Sequence, residues 1–293
     1  MKKKLLVVAL AGAVAAPMVA NAALYASIRA NLAFVDVAGN SDVGIADNSS
    51  RLGIKNSLDL GNGLKAVARF EWNADANGTA AIYNGRLGYV GIGGTFGEVQ
   101  IGQLWGGSYF ATGDWDSMNA TGYNTGLHPL FRCTGLAYEK GFGPVNFRGT
   151  TCIEPENLAT GANASSIDQV DLGFVYSGPV KIGVGYWKDD NTSVDVGMIS
   201  VGGSMGAFGG TIGYQDDSVI GSAVQLYAFY GMGNNTFHTL IEDSSDQNID
   251  SIALGWQYKF NSQVRTAVEW ETIDVGAPDK NQGLHIFLRY DFD

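Results

Sequence analysis

Apolar residues recur at every second position in segment after segment of this chain, and that pattern confines it to β architecture. In the last segment Leu284, Ile286, Leu288, Tyr290 and Phe292 share one face, opposite His285, Arg289 and Asp291. Leu64, Ala66, Ala68, Phe70 and Trp72 alternate in the same way with Lys65, Arg69 and Glu71. Sixteen such runs follow one another, near 24–35, 50–58, 64–72, 81–92, 98–105, 133–139, 145–152, 168–176, 180–187, 193–203, 208–215, 221–230, 235–242, 250–260, 264–272 and 282–292. The connections alternate too. Seven are short and rich in glycine or asparagine, such as 61–63, 93–97 and 206–207, and the others are mostly longer and more acidic, such as 36–49 and 153–167. Such alternation describes a run of antiparallel hairpins with all the tight turns at one end. An even number of strands brings the first and last to that same end, where pairing abolishes the sheet edges. A soluble sandwich also has many short strands, but it gives no reason for the turn–loop alternation.

Composition decides which solvent lies outside. Only 16% of residues are charged, against about 25% in ordinary soluble domains. No stretch approaches the ~18 apolar residues of a membrane-spanning helix. A closed barrel with its apolar positions towards lipid and its polar positions towards an aqueous lumen satisfies both facts. The expected fold is therefore all-β: a sixteen-stranded antiparallel transmembrane barrel with short turns at the periplasmic end and longer external loops. Residues 1–22 fall outside it. Lys2, Lys3 and Lys4, the apolar run Leu5 to Val14 and the small-residue pattern Ala20-Asn21-Ala22 read as a cleaved secretory leader. A single barrel domain over 23–293 remains. The formal charge of −11 and the lack of any nucleic-acid motif argue against a nucleic-acid partner.

Specific residues then resemble a known family. Ser50-Arg51-Leu52-Gly53-Ile54-Lys55, Leu58 to Ala66 and Arg86-Leu87-Gly88-Tyr89-Val90-Gly91, followed by Phe96-Gly97-Glu98-Val99, are similar to the Gram-negative general (diffusion) porins. The ending Arg289-Tyr290-Asp291-Phe292 fits as well, although Asp293 stands where such barrels usually close on an aromatic residue. The resemblance implies a homotrimer in the outer membrane, passive passage of small polar solutes and ions, and a third external loop folded into the lumen. Two alternatives stay open: a receptor or structural anchor with a plugged lumen, and a substrate-specific channel.

The candidate site is electrostatic. Residues 106–132 form the longest connection, and loops beyond ~12–15 residues are uncommon unless functional. Face parity places Arg29, Lys55, Arg69 and Arg86 on the lumen side, Arg51 nearer the external rim, and Arg289 across the closing seam. The long loop carries Asp114 and Asp116 around Trp115. A basic wall facing an acidic loop sets up a transverse field that filters solutes. Glu71, Glu139, Asp171, Asp195, Glu269 and Glu271, assigned to the lumen by the same parity, leave the sign of selectivity between small anions and none.

Cys133 and Cys152 flank a hairpin that turns at 141–143, so they fall nearly opposite each other. An exported protein permits oxidation, and a disulfide at the exit of the long loop is expected. His128, His238 and His285 have no ligand spacing, and no Gly-x-Ser-x-Gly turn occurs. No enzyme, metal or cofactor is expected. The acidic runs 189–191, 216–218 and 242–246 lack a calcium-loop layout and read as solvated tips. Trp72, Trp105 and Trp270 are expected in an external aromatic girdle on the lipid face, with Tyr230, Phe260 and Phe292 at the periplasmic end.

Overall fold

A computed structural model describes residues 22–77, 82–113, 118–121, 132–153, 167, 169–190, 192–244, 246–277 and 280–292. Of the expected leader, only Ala22 lies among them. The strands are β1 (Ala23–Val37), β2 (Asn40–Asp47), β3 (Arg51–Gly61), β4 (Leu64–Ala74), β5 (Ile82–Gly94), β6 (Gly97–Trp105), β7 (Arg132–Phe142), β8 (Val145–Cys152) and β9 (Gln169–Ser177). They continue with β10 (Lys181–Asp189), β11 (Val194–Met205), β12 (Phe208–Asp217), β13 (Gly221–Met232), β14 (Asn235–Ser244), β15 (Ile249–Lys259), β16 (Val264–Asp274) and β17 (Asn281–Phe292). One short helix, α1 (Gly107–Thr112), follows β6.

From β3 onward each strand pairs antiparallel with the next. The wall closes because β1 pairs with β17, from Ala26 opposite Phe292 to Asp36 opposite Gln282. On its other edge β1 pairs with β3, from Ala23 opposite Lys55 to Ser27 opposite Arg51. Those sixteen strands make the expected barrel, and β2 is additional. Residues 36–49 were expected to be a loop. Instead, β1 runs on to Val37, turns through Ala38 and Gly39, and returns as β2, paired from Asn40 opposite Val37 to Asp47 opposite Ala30. Both turn residues have positive φ, 51° and 78°, the geometry that matches a two-residue hairpin to strand twist. The alternation of Val43 and Ile45 with Asp42, Gly44 and Ala46 is a strand signal that the acidic composition obscures.

The two faces are the reverse of a soluble protein. Outward residues such as Ile101 (56% exposed), Val90 and Leu288 lie open, whereas Glu71, Thr150, Gln215, Gln225 and Glu269 are buried inside. Only lipid makes so much exposed apolar surface tolerable. Leu254→Arg, on the outward face of β15, is expected to cost about 2–4 kcal/mol if it sits near the bilayer midplane. Equilibrium unfolding from liposomes measures this. A loss close to zero would mean that Leu254 faces water or protein.

Candidate functional site

Residues directly opposed on antiparallel strands project from the same face, and here that rule aligns like charges. Arg29 lies opposite Arg289, and Arg289 lies opposite Arg265. Three guanidinium groups therefore stand abreast on β1, β17 and β16. Like charges directly opposite each other are unfavourable, so packing alone does not account for the row. Together with Arg51, Arg86 and Arg132 it lines a cavity of about 670 Å³. Among the described residues, Asp47 is the one carboxylate that borders this space, and its oxygens already accept the backbone N–H groups of Ser50 and Ala76.

The arginines differ in how far they are neutralised. Arg86 Nε donates to Glu71 Oε1 at 2.8 Å, and Arg69 Nη2 donates to Glu71 Oε2 at 2.7 Å. Tyr25 hydroxyl completes that group by donating to Glu71 Oε2 and accepting from Arg69 Nε. Arg289 is held by Asp291 at 2.8 Å. By contrast, among the described residues Arg29 Nε reaches only the Ser27 hydroxyl, and Arg51 Nε and Arg132 Nη1 are buried without a hydrogen-bond acceptor. The cavity thus holds cationic charge that the wall does not cancel.

Of the candidates from sequence, Arg29, Arg51 and Arg86 line this cavity. Arg69 sits in an adjoining recess near Phe292. Lys55 lines neither and stands 5.4 Å from the Tyr25 ring centroid. Asp114, Trp115 and Asp116 lie outside the described residues. Arg265 and Arg132 were missed. The parity that turns Glu269 inward also turns Arg265 inward, so that signal was available. Arg132 had none, because its neighbourhood departs from parity. Trp105, opposite Arg132, was expected on the lipid face but lines the cavity. Its ring stacks on Tyr109 of α1 at 4.1 Å and 20°, with the Arg132 and Arg86 guanidinium groups 5.1 and 5.9 Å from its centroid.

The long connection enters the lumen and is held at both sides. α1 packs on the inner faces of β9 and β10, where Gly173, Gly183 and Gly185 provide a flat seat. A Cβ on Gly173 would collide with the Gly107 carbonyl oxygen, and one on Gly183 with the Ala111 carbonyl oxygen. Ser108 N–H donates to Asp171 Oδ1 at 2.6 Å. Residues 118–121 then meet the opposite wall, with Met118 packed on Leu240 and Ala253 and Asn119, Ala120 and Thr121 bonded to Glu269. Arg148, paired with Glu139, and Thr150 both donate to the Trp105 carbonyl oxygen where the loop leaves the wall. Cys133 and Cys152 form a disulfide where it returns, with Cα atoms 5.4 Å apart.

Most of the acids read as lumen charges are therefore committed to partners. Asp195 differs again: it is exposed on the outward face, where the Tyr186 hydroxyl donates to it at 2.8 Å.

Three comparisons bear on what this barrel is. A model of the family described as Gram-negative porin matches residues 6–293. The major outer membrane protein P.IB of Neisseria meningitidis serogroup B is 34% identical over 189 residues, covering 60% of this chain and 55% of that protein. Its Neisseria gonorrhoeae namesake is 35% identical over 113 residues, 36% of this chain and 32% of that one. The chain thus spans about half the length, or less, of these relatives. Among solved structures, the anion-selective porin from Comamonas acidovorans aligns with a TM-score of 0.75 at 20% identity, over 93% of this chain and all of that one. A mutant of Rh. blastica porin gives 0.74 at 16% identity, over 92% and 100%. These last two likenesses establish the fold. With the family model matching nearly end to end, the chain belongs to the Gram-negative porin family.

Proposed function

We propose that this barrel is a passive diffusion channel for small hydrophilic solutes whose waist favours anions. The observation that carries the reading is the excess of arginine over carboxylate among the described residues that line the cavity. A permeating anion gains from that field at each step along the wall, whereas a cation is repelled. Because the charge sits in a wide aqueous space, the attraction stays weak enough for release, which conduction requires. Asp114 and Asp116 are proposed to supply the acidic side of the filter from the loop. The anion selectivity named for the Comamonas acidovorans structure agrees in sign.

Two further elements belong to this reading. The leader is proposed to be removed after Ala22. The barrel is proposed to work as a homotrimer, with contact through the outer depression where Ala66 and Ala68 leave room between Leu58, Val90 and Ile92. Asn56 in that depression has a buried side-chain oxygen without a donor, a group that another protein satisfies better than lipid does.

Reconstitution in a planar bilayer under a potassium chloride gradient tests the proposal. The expected record is stepwise opening in groups of three, with a reversal potential of anionic sign. A strongly cationic sign would overturn the filter, and a silent membrane would favour a plugged receptor or anchor.

A further inference from the structure

Where the long connection rejoins the wall, the sheet narrows to two strands. The last pair between β5 and β6 is Gly88 opposite Gln103, and β8 reaches along β7 only as far as Cys152 opposite Gly135. Among the described residues, β6 and β7 continue beyond these points as a ribbon, with Leu104 opposite Cys133 and Trp105 opposite Arg132. One more backbone bond reaches it from the side of β8, Ile153 N–H to the Thr134 carbonyl oxygen at 2.8 Å. A two-stranded ribbon is marginally stable by itself, so this tip depends on whatever ties it down.

The tip carries part of the filter. Trp105 and Arg132 both line the arginine cavity, although strand alternation puts them on the side of the exposed Ile101 and Leu136. The tip is therefore turned over the lumen, with the Arg132 guanidinium 5.1 Å from the centre of the Trp105 ring. Its β6 half is held from β8 by hydrogen bonds, from Arg148 Nε at 3.1 Å and the Thr150 hydroxyl at 3.3 Å to the Trp105 carbonyl oxygen. Its β7 half is held by a covalent bond, the disulfide from Cys133 to Cys152, one residue away from Arg132. Cys133 is half-buried, whereas Cys152 is only 5% exposed.

We propose that the Cys133–Cys152 bridge is a redox-responsive positioning element of the filter. Oxidised, it fixes Arg132 and the Trp105 ring at the cavity wall. Reduced, it lets the tip move and the cavity lose part of its cationic field. A small dithiol that enters the lumen carries out the change by thiol–disulfide exchange. Its thiolate attacks the sulfur of Cys133, the less covered of the two, and forms a mixed disulfide there. Cys152 leaves as a thiolate and takes up a proton. The second thiol of the reagent then displaces Cys133, also as a thiol, and the reagent departs as a cyclic disulfide. Two electrons and two protons have passed to the protein.

The selectivity readout rests on the anion-favouring waist proposed above, whereas current noise does not depend on the sign of selectivity. Wild-type channels in a planar bilayer under a potassium chloride gradient are recorded before and after dithiothreitol is added to both sides. Alkylation followed by intact mass counts the thiols released in liposomes treated in the same way. Both cysteines are expected to be alkylated, and open-channel noise is expected to rise several-fold. The anion-to-cation permeability ratio is expected to fall by up to about threefold, the weight of one guanidinium about 6 Å from an ion in a water-like dielectric. Cys133→Ser combined with Cys152→Ser is expected to behave as the reduced channel from the start and to ignore the dithiol. If that variant does not fold, the wild type reduced after insertion supplies the comparison. A bridge that serves only to stabilise the barrel would leave the noise and reversal potential of the folded channel unchanged on reduction. That result, or a bridge that resists the dithiol, overturns the proposal. An oxidised channel without anion preference would instead sink the reading of the waist, and the noise then decides for the bridge.

Discussion

Alanine at Arg29, Arg51 and Arg132 together is expected to abolish anion preference, read as the reversal potential in a salt gradient. These three are chosen because no carboxylate among the described residues bonds to them: Arg29 Nε donates to the Ser27 hydroxyl, and Arg51 and Arg132 each leave a buried nitrogen without an acceptor there. A guanidinium about 6 Å from a permeating ion contributes roughly 0.7 kcal/mol in a water-like dielectric, so three sum to roughly 2 kcal/mol. A change of that size is more than tenfold in partitioning, since about 1.4 kcal/mol is a factor of ten. Screening shortens from about 10 Å at 0.1 M salt to about 3 Å at 1 M, so the shift is expected to be largest in dilute solution. Arg69→Ala serves as the contrast. Its charge is already balanced within the Glu71 group, and its removal is expected to move the reversal potential far less. A triple variant with the wild-type reversal potential would take these arginines out of the filter.

The second large effect lies on the opposite wall. Gly173→Ala combined with Gly183→Ala adds two methyl groups beneath α1, where carbonyl oxygens of Gly107 and Ala111 already occupy the space. Neither backbone can yield easily, because Gly173 and Gly183 belong to paired strands and Ser108 is tied to Asp171. Forcing extra volume into such a contact costs about 1–3 kcal/mol, and the helix is expected to leave its seat. Single-channel conductance should then lose its single well-defined level. Gly197→Ala in β11 is the matched control, since a Cβ there meets nothing within 4 Å. Equal conductance in the double variant and the control would show that α1 does not need its glycine seat.

Why the barrel could be read so completely follows from its two solvents. Each strand touches lipid on one face and water on the other, so alternation in β4 or β17 is written residue by residue. The strand limits inferred from it lie within a few residues of those observed. β2 escaped because its composition suits a loop and its hairpin is marked only by Ala38-Gly39. At the site, Arg29 and Arg51 were legible from parity, whereas Arg86 has the parity of the outward Val90 and Ile92 and turns inward at the register shift between β4 and β5. Trp105 was not: it ends β6, and its ring meets Tyr109 of the inserted helix and the Arg132 and Arg86 guanidinium groups, contacts that strand alternation does not record. Least legible were Asp171 and Glu269. Their partners, Ser108 and residues 119–121, lie 63 and about 150 positions away, and no local pattern records such a pairing. The disulfide was easier, because a tight turn between β7 and β8 lets register be counted outward to Cys133 and Cys152.

The seam between β1 and β17 joins two strands that lie about 250 residues apart in the sequence. Until β17 arrives, β1 has a bare flank and the sheet stays open at both sides. Contacts of such long separation form slowly, and unpaired flanks invite partners from other molecules. Closure is therefore all-or-none: a chain lacking β17 is not a smaller barrel but an open ribbon, whose exposed backbone groups the hydrocarbon cannot accommodate. The interval between the synthesis of β1 and that of β17 is thus the period in which both flanks stay open to partners from other molecules.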